Sequence, residues 1–213
     1  MINRIFFSLI ILSLVSVYLN NLKTDSYQYQ LALHNDLKNG TYNLNIDLIH
    51  GINHLYPSLS FNSIPISSLK ARYYHNLGQS DQAYALLDQG IEYNPYMSYS
   101  FYLKSRILIN DLNYNEAIEY LRNAYNLSPN INIVASLYFA LLAELNYFDE
   151  LYNHKSNVMS SNDIQIWVFY LKSLLTSVSP DNKDSVKEIF NQAKTIFPNN
   201  KSINDIYSDY LNL

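Results

Sequence analysis

An all-α fold, a right-handed solenoid of stacked helical hairpins, is predicted by three features of the sequence. Small and apolar residues recur at a constant interval, about 34 residues, along the middle of the chain. Glycine and proline are scarce, with 4 and 6 in 213 residues, as expected for a mostly helical protein. A single apolar run precedes the repeats and predicts a transmembrane or signal helix at the N-terminus.

The apolar run extends from Ile5 to Leu19 and is interrupted only by serines. Arg4 precedes it, and the charges of Lys23 and Asp25 cancel after it, so the positive-inside rule predicts a cytoplasmic N-terminus. The run is shorter than the ~20 residues of a typical span and longer than most signal-peptide apolar regions, which have roughly 7–15. We interpret it as an uncleaved membrane anchor. A cleaved signal peptide and a buried core helix are the alternatives.

The repeat is clearest in two successive segments that share small residues, a central leucine and a closing proline. The small residues allow the two helices of a hairpin to approach closely, and the leucine fills the space between hairpins. The proline ends the second helix and sets the turn. The equivalent pairs, each separated by the same interval, are Ala83 and Ala117, Leu87 and Leu121, Gly90 and Ala124, and Pro95 and Pro129.

Weaker copies flank these two segments and define the predicted domain organisation. An anchor at 1–24 precedes a helical-repeat domain at 25–213. The last repeat should present Val186, Phe190, Ala193 and Ile196 on its second helix. A final helix would cover the open end, as stacks of repeats require. The approximate units are 25–60, 64–97, 98–131, 132–165 and 167–200, followed by a capping helix at 201–213.

The repeated residues resemble the tetratricopeptide repeat (TPR) family, whose unit is a helix–turn–helix of about 34 residues. The resemblance is strongest over 64–131 and looser in the flanking units. Ser67 and Phe101 occupy the place of the family's characteristic tryptophan, and Leu112 replaces a turn glycine. The resemblance implies a scaffold that holds a protein or peptide partner in a concave groove, which the first helices of the units line.

A second resemblance concerns the order of segments around the first strong unit. This part of the chain is similar to the periplasmic TPR tail of bacterial O-antigen ligase or polymerase proteins. The similarity lies in the order of an apolar helix, an irregular unit, the sequence at 63–66 and the sequence at 94–96. This resemblance implies an accessory component of a surface-polysaccharide system that contacts glycan or the enzyme. The membrane-embedded catalytic part of those proteins has no counterpart in this sequence, so their activity is not implied.

Composition and motifs argue against most kinds of chemistry. There is no cysteine for a disulfide or a thiolate metal site, and the net charge of −4 disfavours a broad nucleic-acid surface. No nucleophile elbow, phosphate-binding loop or dinucleotide fingerprint occurs. His50 and His54 have the spacing of two metal ligands on a helix, but a third ligand is missing, so we interpret them as packing or solvated residues. We predict a protein that is not an enzyme and has no cofactor, metal or catalytic residue.

One set of residues is a candidate binding site. Arg72 and Arg106 are one repeat period apart, at equivalent places on two first helices, and with the nearby tyrosines they suit a carboxylate, phosphate or sugar-linked anion. The alternative is that both arginines are solvated or pair with acids of neighbouring helices. Because Ser68 and Arg72 stand where the chaperone-binding TPR clamp has lysine and asparagine, a chaperone C-terminus is not the expected ligand. The residues expected to line the groove are Arg72, His75, Tyr99, Tyr102, Arg106 and Asn110.

These observations lead to a functional hypothesis. The chain is expected to be a single-pass protein of the bacterial cytoplasmic membrane, with its repeats on the outer side. There it would act as a scaffold or adaptor that mediates protein–protein interaction in cell-envelope assembly. The alternative is the surface-polysaccharide accessory role.

Overall fold

The computed structural model describes residues 2–52, 58–60 and 62–212, with side chains from residue 6 onward. Throughout this part of the chain the regular elements are helices, and the only strand-like pairing is an isolated bridge between Leu59 and Pro65. The predicted all-α class is confirmed. The helices are α1 (Ile2–Asn39), α2 (Ile46–Gly51), α3 (Ile66–Asn76), α4 (Ser80–Tyr93), α5 (Ser98–Asn110), α6 (Tyr114–Leu127), α7 (Asn132–Glu144), α8 (Phe148–Asn153), α9 (Lys155–Met159), α10 (Ile164–Thr176), α11 (Lys183–Ile196) and α12 (Lys201–Leu211).

The chain divides into two compact units, Met1–Ile107 and Leu108–Leu213, and the division falls within α5. Each unit has its own buried residues and is described separately below. His54, one of the two histidines with metal-ligand spacing, lies outside the described residues, as does Pro57 of the first predicted unit.

Helix α1 is a single helix of 38 residues. Neither glycine nor proline occurs between residues 2 and 39, so nothing in the sequence breaks it. Its apolar side chains from Phe6 to Leu19 are exposed. The helix is long and apolar enough to cross a membrane, although a signal sequence near the N-terminus meets the same criterion.

The second half of α1 packs against the repeats. Ser26, Gln30, Leu33 and Leu37 are buried at the helical spacing of one face, and the Gln30 amide donates to Ser26 Oγ at 3.0 Å. The predicted boundary between anchor and repeats, after residue 24, therefore lies inside one continuous helix. The apolar segment and the first helix of the first unit form one element.

The first unit is built around the hairpin of α3 and α4. Ala83 and Leu87 on α4 are completely buried in a core with Ile66 and Leu69 of α3, and Leu33 of α1 joins the same core. Ala83 and Leu87 are positions at which the repeat pattern predicted close packing. Burying each large aliphatic side chain contributes about 1.5–3 kcal/mol.

Gly90 marks the closest helix approach in this unit. A Cβ built on Gly90 would lie 2.0 Å from Ser68 Oγ, 3.1 Å from Ser100 Oγ and 3.3 Å from Ser67 Oγ. Ser68 and Ser100 share a buried hydrogen bond of 2.7 Å between α3 and α5. The glycine is therefore required for space, and the serine pair joins the first helices of two successive repeats.

The turns between paired helices repeat with the same period as the helices. Gly78, Leu112 and Asn146 have φ of +74°, +60° and +57°, and each lies one repeat period from the next. Glycine and asparagine adopt this left-handed conformation readily, whereas leucine does so at a cost of roughly 1–2 kcal/mol. The third turn lies between α7 and α8, at the place equivalent to the turns of the two strong repeats.

The second unit continues the pattern. Ala117, Leu121 and Ala124 on α6 are completely buried, and α6 packs against α7. Pro95 and Pro129 follow the C-terminal caps of α4 and α6, where each stops the second helix of a hairpin. The next second helix is divided: α8 ends at Asn153 and α9 begins at Lys155.

The C-terminal helices also pack as hairpins. Val186, Phe190, Ala193 and Ile196 all lie on α11, the second helix of this hairpin, as the sequence predicts. The first three are buried, and Ile196 is 51% exposed. Ile196 lies in the last turn of α11, at the edge of the buried stripe, where no later turn covers it. Helix α12 packs on α10 and α11, and Tyr210 stacks on Phe190 with ring centroids 4.7 Å apart.

Candidate functional site

Arg72 lies at the centre of the candidate site, in the first unit. It is half-buried on α3, and its guanidinium contacts two tyrosines and one carbonyl. Nη1 donates to Tyr99 Oη at 3.4 Å, and Nη2 donates to Tyr42 Oη at 3.4 Å and to the Leu37 carbonyl at 3.5 Å. Arg72 therefore joins the end of α1, the loop before α2 and the start of α5.

Arg106 lies one repeat further along the chain and is exposed. Its Cζ is 5.8 Å from the centroid of the Tyr102 ring, a cation–π contact on the same helix. No carboxylate lies within 4 Å of either guanidinium among the residues that the structure describes. Both arginines therefore lack a counter-charge from this part of the chain.

Tyr99 and Tyr102, the tyrosines next to the two arginines of α3 and α5, stay neutral near pH 7. Burial raises the pKa of Tyr99 above its ordinary value, and the positive charges of Arg72 and Arg106 only partly oppose that effect. Burial likewise raises the pKa of Tyr102. Each hydroxyl thus keeps its proton and is available as a hydrogen-bond donor.

The structure brings four of the six predicted groove residues into this arrangement: Arg72, Tyr99, Tyr102 and Arg106. His75 is half-buried on α3, one turn after Arg72. Asn110 is exposed at the end of α5 and belongs to the second unit. Tyr42 was missed in the sequence, because it sits in the irregular loop after α1, where no repeat spacing applies.

The sequence-based prediction also missed two buried lysines, although the repeat spacing relates them to each other. Lys70 and Lys104 are one repeat period apart, like the two arginines, and are 3% and 6% exposed. Lys70 Nζ donates to the Ile52 carbonyl at 2.9 Å, at the end of α2. Lys104 forms an ion pair with Asp88. Burial lowers the pKa of Lys70. Both lysines attach a first helix to a neighbouring helix and have a structural role.

A second polar cluster lies in the second unit. Arg122 binds Glu150 through two bonds, Nε to Oε1 at 2.6 Å and Nη2 to Oε2 at 3.0 Å. Tyr138 donates to Glu150 Oε1 at 2.6 Å, and His154 Nε2 lies 3.2 Å from Tyr138 Oη. Tyr125 stacks on Tyr138 with centroids 4.7 Å apart. The network connects α6, α7 and α8 and ends at His154, where α8 gives way to α9.

The charges of this network are complementary. The hydrogen bonds from Arg122 hold the pKa of Glu150 below its ordinary value, and the bond from Tyr138 adds to the effect. Burial lowers the pKa of His154. Because the Tyr138 proton goes to Glu150, the Tyr138 oxygen accepts from His154, so the neutral His154 carries its proton on Nε2. The network thus pairs the Tyr138 hydroxyl and the Glu150 carboxylate with partners on neighbouring helices.

Acidification is expected to weaken the second unit in two stages. His154 has a lowered pKa in the folded state, so stability present above pH 6.5 is lost as the pH falls through that lowered value. Glu150 contributes stability above pH 4.5, which is lost at lower pH as its carboxylate protonates. Thermal melting of the detergent-solubilised chain followed by circular dichroism should therefore give a lower midpoint at pH 5.5 than at pH 7.5. In His154→Gln, whose amide can still donate to Tyr138, the difference should shrink. An equal difference in both proteins would assign it to other groups.

His50, one of the two histidines with the spacing of metal ligands, contacts a tyrosine in the structure. His50 Nδ1 lies 3.2 Å from Tyr74 Oη, and the two rings meet edge to face at 5.4 Å. Among residues 6–52, 58–60 and 62–212, no group of three His, Asp or Glu side chains is arranged to hold a metal ion. His50 is thus exposed on α2, with its ring in contact with Tyr74.

Comparisons with known proteins agree with the repeat geometry. Residues 66–96 and 98–131 match the family model described as tetratricopeptide repeat. These are the two hairpins with the strongest repeat pattern. The comparison with curated proteins finds no significant match. The second resemblance, to the tail of O-antigen ligase or polymerase proteins, is not shown by these comparisons.

Proposed function

We propose that the two segments that match the tetratricopeptide repeat model, residues 66–96 and 98–131, hold a protein partner for a membrane-attached assembly. Such repeats generally act as interaction scaffolds and are typically non-catalytic. The observation that carries the proposal is the pair of adjacent repeats whose first helices present Arg72 and Arg106, with no carboxylate near either among the described residues. A site with excess positive charge in a protein of net charge −4 selects an anionic partner locally.

The membrane part of the proposal rests on α1. Its exposed apolar side chains have no partner surface in the described part of the first unit, and a bilayer is the environment in which such a helix is stable. The positive charge before the apolar run supports a cytoplasmic N-terminus with the repeats on the outer side, where they could reach a cell-envelope assembly.

Both parts of the proposal can be tested together, because the chain has no cysteine of its own. Asn76, exposed one turn after Arg72 on α3, is replaced by cysteine in the full-length protein. The matched control is Glu92→Cys, exposed on α4 of the same hairpin. Intact cells are treated with a membrane-impermeant maleimide that carries a photocrosslinker, and are then irradiated.

We expect both cysteines to be labelled in intact cells, and only Asn76→Cys to yield a discrete crosslinked protein. Labelling only after cell lysis would contradict the outward orientation. The same adducts from both positions would show that the first helices are not the binding surface. A ladder of glycan-bearing products in place of a discrete protein would favour the surface-polysaccharide alternative.

A further inference from the structure

We infer that Tyr42, Tyr99 and Arg106 form a binding site for the carboxylates of an acidic, extended segment of the partner, and that Arg72 positions the two tyrosines. The inference rests on the proposed function, since it names the chemistry of the partner that the repeats would hold. It assigns Arg72 a different role from Arg106, although the two residues are equivalent in the repeat.

The first argument concerns hydrogen-bond donors. A guanidinium has five N–H donors and no acceptor, so the tyrosine oxygens accept in both contacts of Arg72. The hydroxyl protons of Tyr42 and Tyr99 therefore remain available for another acceptor. In the described part of the chain neither hydroxyl has a further hydrogen-bond partner. Arg72 thus fixes two hydroxyl groups whose donors are unused.

The second argument concerns charge. Arg72 is half-buried and its charge has no carboxylate partner among the residues described, an unfavourable arrangement for a charge partly removed from water. Arg106 adds a second positive charge at the equivalent place on the next first helix. An anion bound between them would compensate both charges and accept from the two hydroxyls.

The third argument concerns spacing. Helices α3 and α5 are neighbours, because Ser68 and Ser100 are hydrogen-bonded between them, and packed helix axes are typically about 8–10 Å apart. In an extended peptide, side chains at i and i+2 point to the same side and are roughly 7 Å apart. Two acidic residues at this spacing fit the site: one carboxylate would accept from the two hydroxyls that Arg72 holds, and the other would bind Arg106 on the neighbouring helix. The Tyr102 ring beneath Arg106 supplies an apolar surface for the stems of these side chains.

The test uses the full-length chain in detergent and a fluorescent probe peptide of alternating glutamate and alanine. Its ends are acetylated and amidated, so that a terminal carboxylate plays no part. A matched peptide with glutamine in place of glutamate is the neutral probe, and inorganic phosphate is a competitor. Fluorescence anisotropy gives the dissociation constants for the wild type, Tyr42→Phe, Tyr99→Phe, Arg106→Lys and the control Tyr96→Phe, which alters an exposed tyrosine of the same unit.

We expect the glutamate peptide to bind and the glutamine peptide to bind at least tenfold more weakly. Tyr42→Phe, Tyr99→Phe and Arg106→Lys should each weaken binding of the glutamate peptide by about tenfold, the effect of one hydrogen bond to a charged group. Tyr96→Phe should leave binding unchanged. Circular dichroism should show the same helical content in all variants, because each loses only one polar group.

The positioning role of Arg72 has its own test. Arg72→Lys keeps the charge but not the planar fork that reaches both hydroxyls, so it should weaken binding in the wild type. In the Tyr42→Phe/Tyr99→Phe background the same change should have little further effect, since there is no hydroxyl left to position. A full additional loss there would show that Arg72 binds the ligand directly and would overturn this assignment.

Other outcomes would overturn the site itself. These are equal binding of the two peptides, no binding of the glutamate peptide at millimolar concentration, and equal behaviour of Tyr99→Phe and Tyr96→Phe. Phosphate that binds at these residues while the peptide does not would identify a phosphate site instead. A position-specific crosslink from Asn76→Cys that persists in Tyr99→Phe would leave the scaffold function standing while this site fails.

Discussion

Replacing Trp167 with alanine is expected to destabilise the second unit by about 3–5 kcal/mol, as for other fully buried large aromatic residues. The Trp167 side chain is completely buried on α10, and its ring meets that of Phe197 edge to face at 5.8 Å. Its indole Nε1 donates to the Ser161 carbonyl at 3.1 Å, and alanine would leave that carbonyl without this partner. Urea unfolding followed by circular dichroism measures the effect, since the substitution removes the only tryptophan.

The matched variant is Trp167→Phe, which keeps most of the ring and loses the hydrogen bond. It should cost only a part of the alanine effect, because most of the apolar volume remains. Equal costs for the two variants would mean that the hydrogen bond, and not packing, accounts for the contribution of Trp167. No cost in either variant would contradict the burial of this residue beneath the C-terminal helices.

The second large effect is expected for Gly90→Ala, which should cost about 1–3 kcal/mol, the usual range for overpacking. The new methyl group would lie 2.0 Å from Ser68 Oγ, so α3 and α4 must separate or Ser68 must leave its bond with Ser100. Gly51→Ala is the control, since a Cβ there meets nothing within 4 Å. In a helix that control change is neutral or favourable, by about 0.5–1 kcal/mol.

A double variant distinguishes overpacking from a change in helix propensity. In Ser68→Ala the offending Oγ is absent, so adding Gly90→Ala to this background should cost less than in the wild type. Urea midpoints of the four proteins in this cycle give the coupling energy. If Gly90→Ala costs the same in both backgrounds, or behaves like Gly51→Ala, the close approach of α3 and α4 is absent.

The repeat spacing predicted the centre of each strong hairpin, because spacing reports which positions recur in equivalent environments. It located Ala83, Leu87, Ala117 and Leu121 in the core, and the equivalent arginines on the first helices. The same spacing also relates Lys70 to its equivalent one repeat later, but the prediction made no use of this pair.

Features that depend on contacts between distant residues were not predictable from the period. Tyr42 approaches Arg72 from a loop, and the division between α8 and α9 at His154 follows no glycine or proline. His154 instead lies against Tyr138 of α7, so its position reflects tertiary packing. The two arginines also differ in their contacts: Arg72 contacts α1 and the loop after it, whereas Arg106 contacts Tyr102 on its own helix.

The continuity of α1 sets a length scale for any partner of a membrane-inserted form of this protein. Leu37, whose carbonyl accepts from Arg72, lies five helical turns after Leu19, the last residue of the apolar run. At a rise of about 1.5 Å per residue this separation is about 27 Å, and tilting of the helix would reduce it. No flexible linker lies between the two points, so α1 acts as a rigid spacer. The helix would hold Arg72 and the tyrosines that contact it at a fixed height above the lipid headgroups. A partner would have to present its acidic segment at that height.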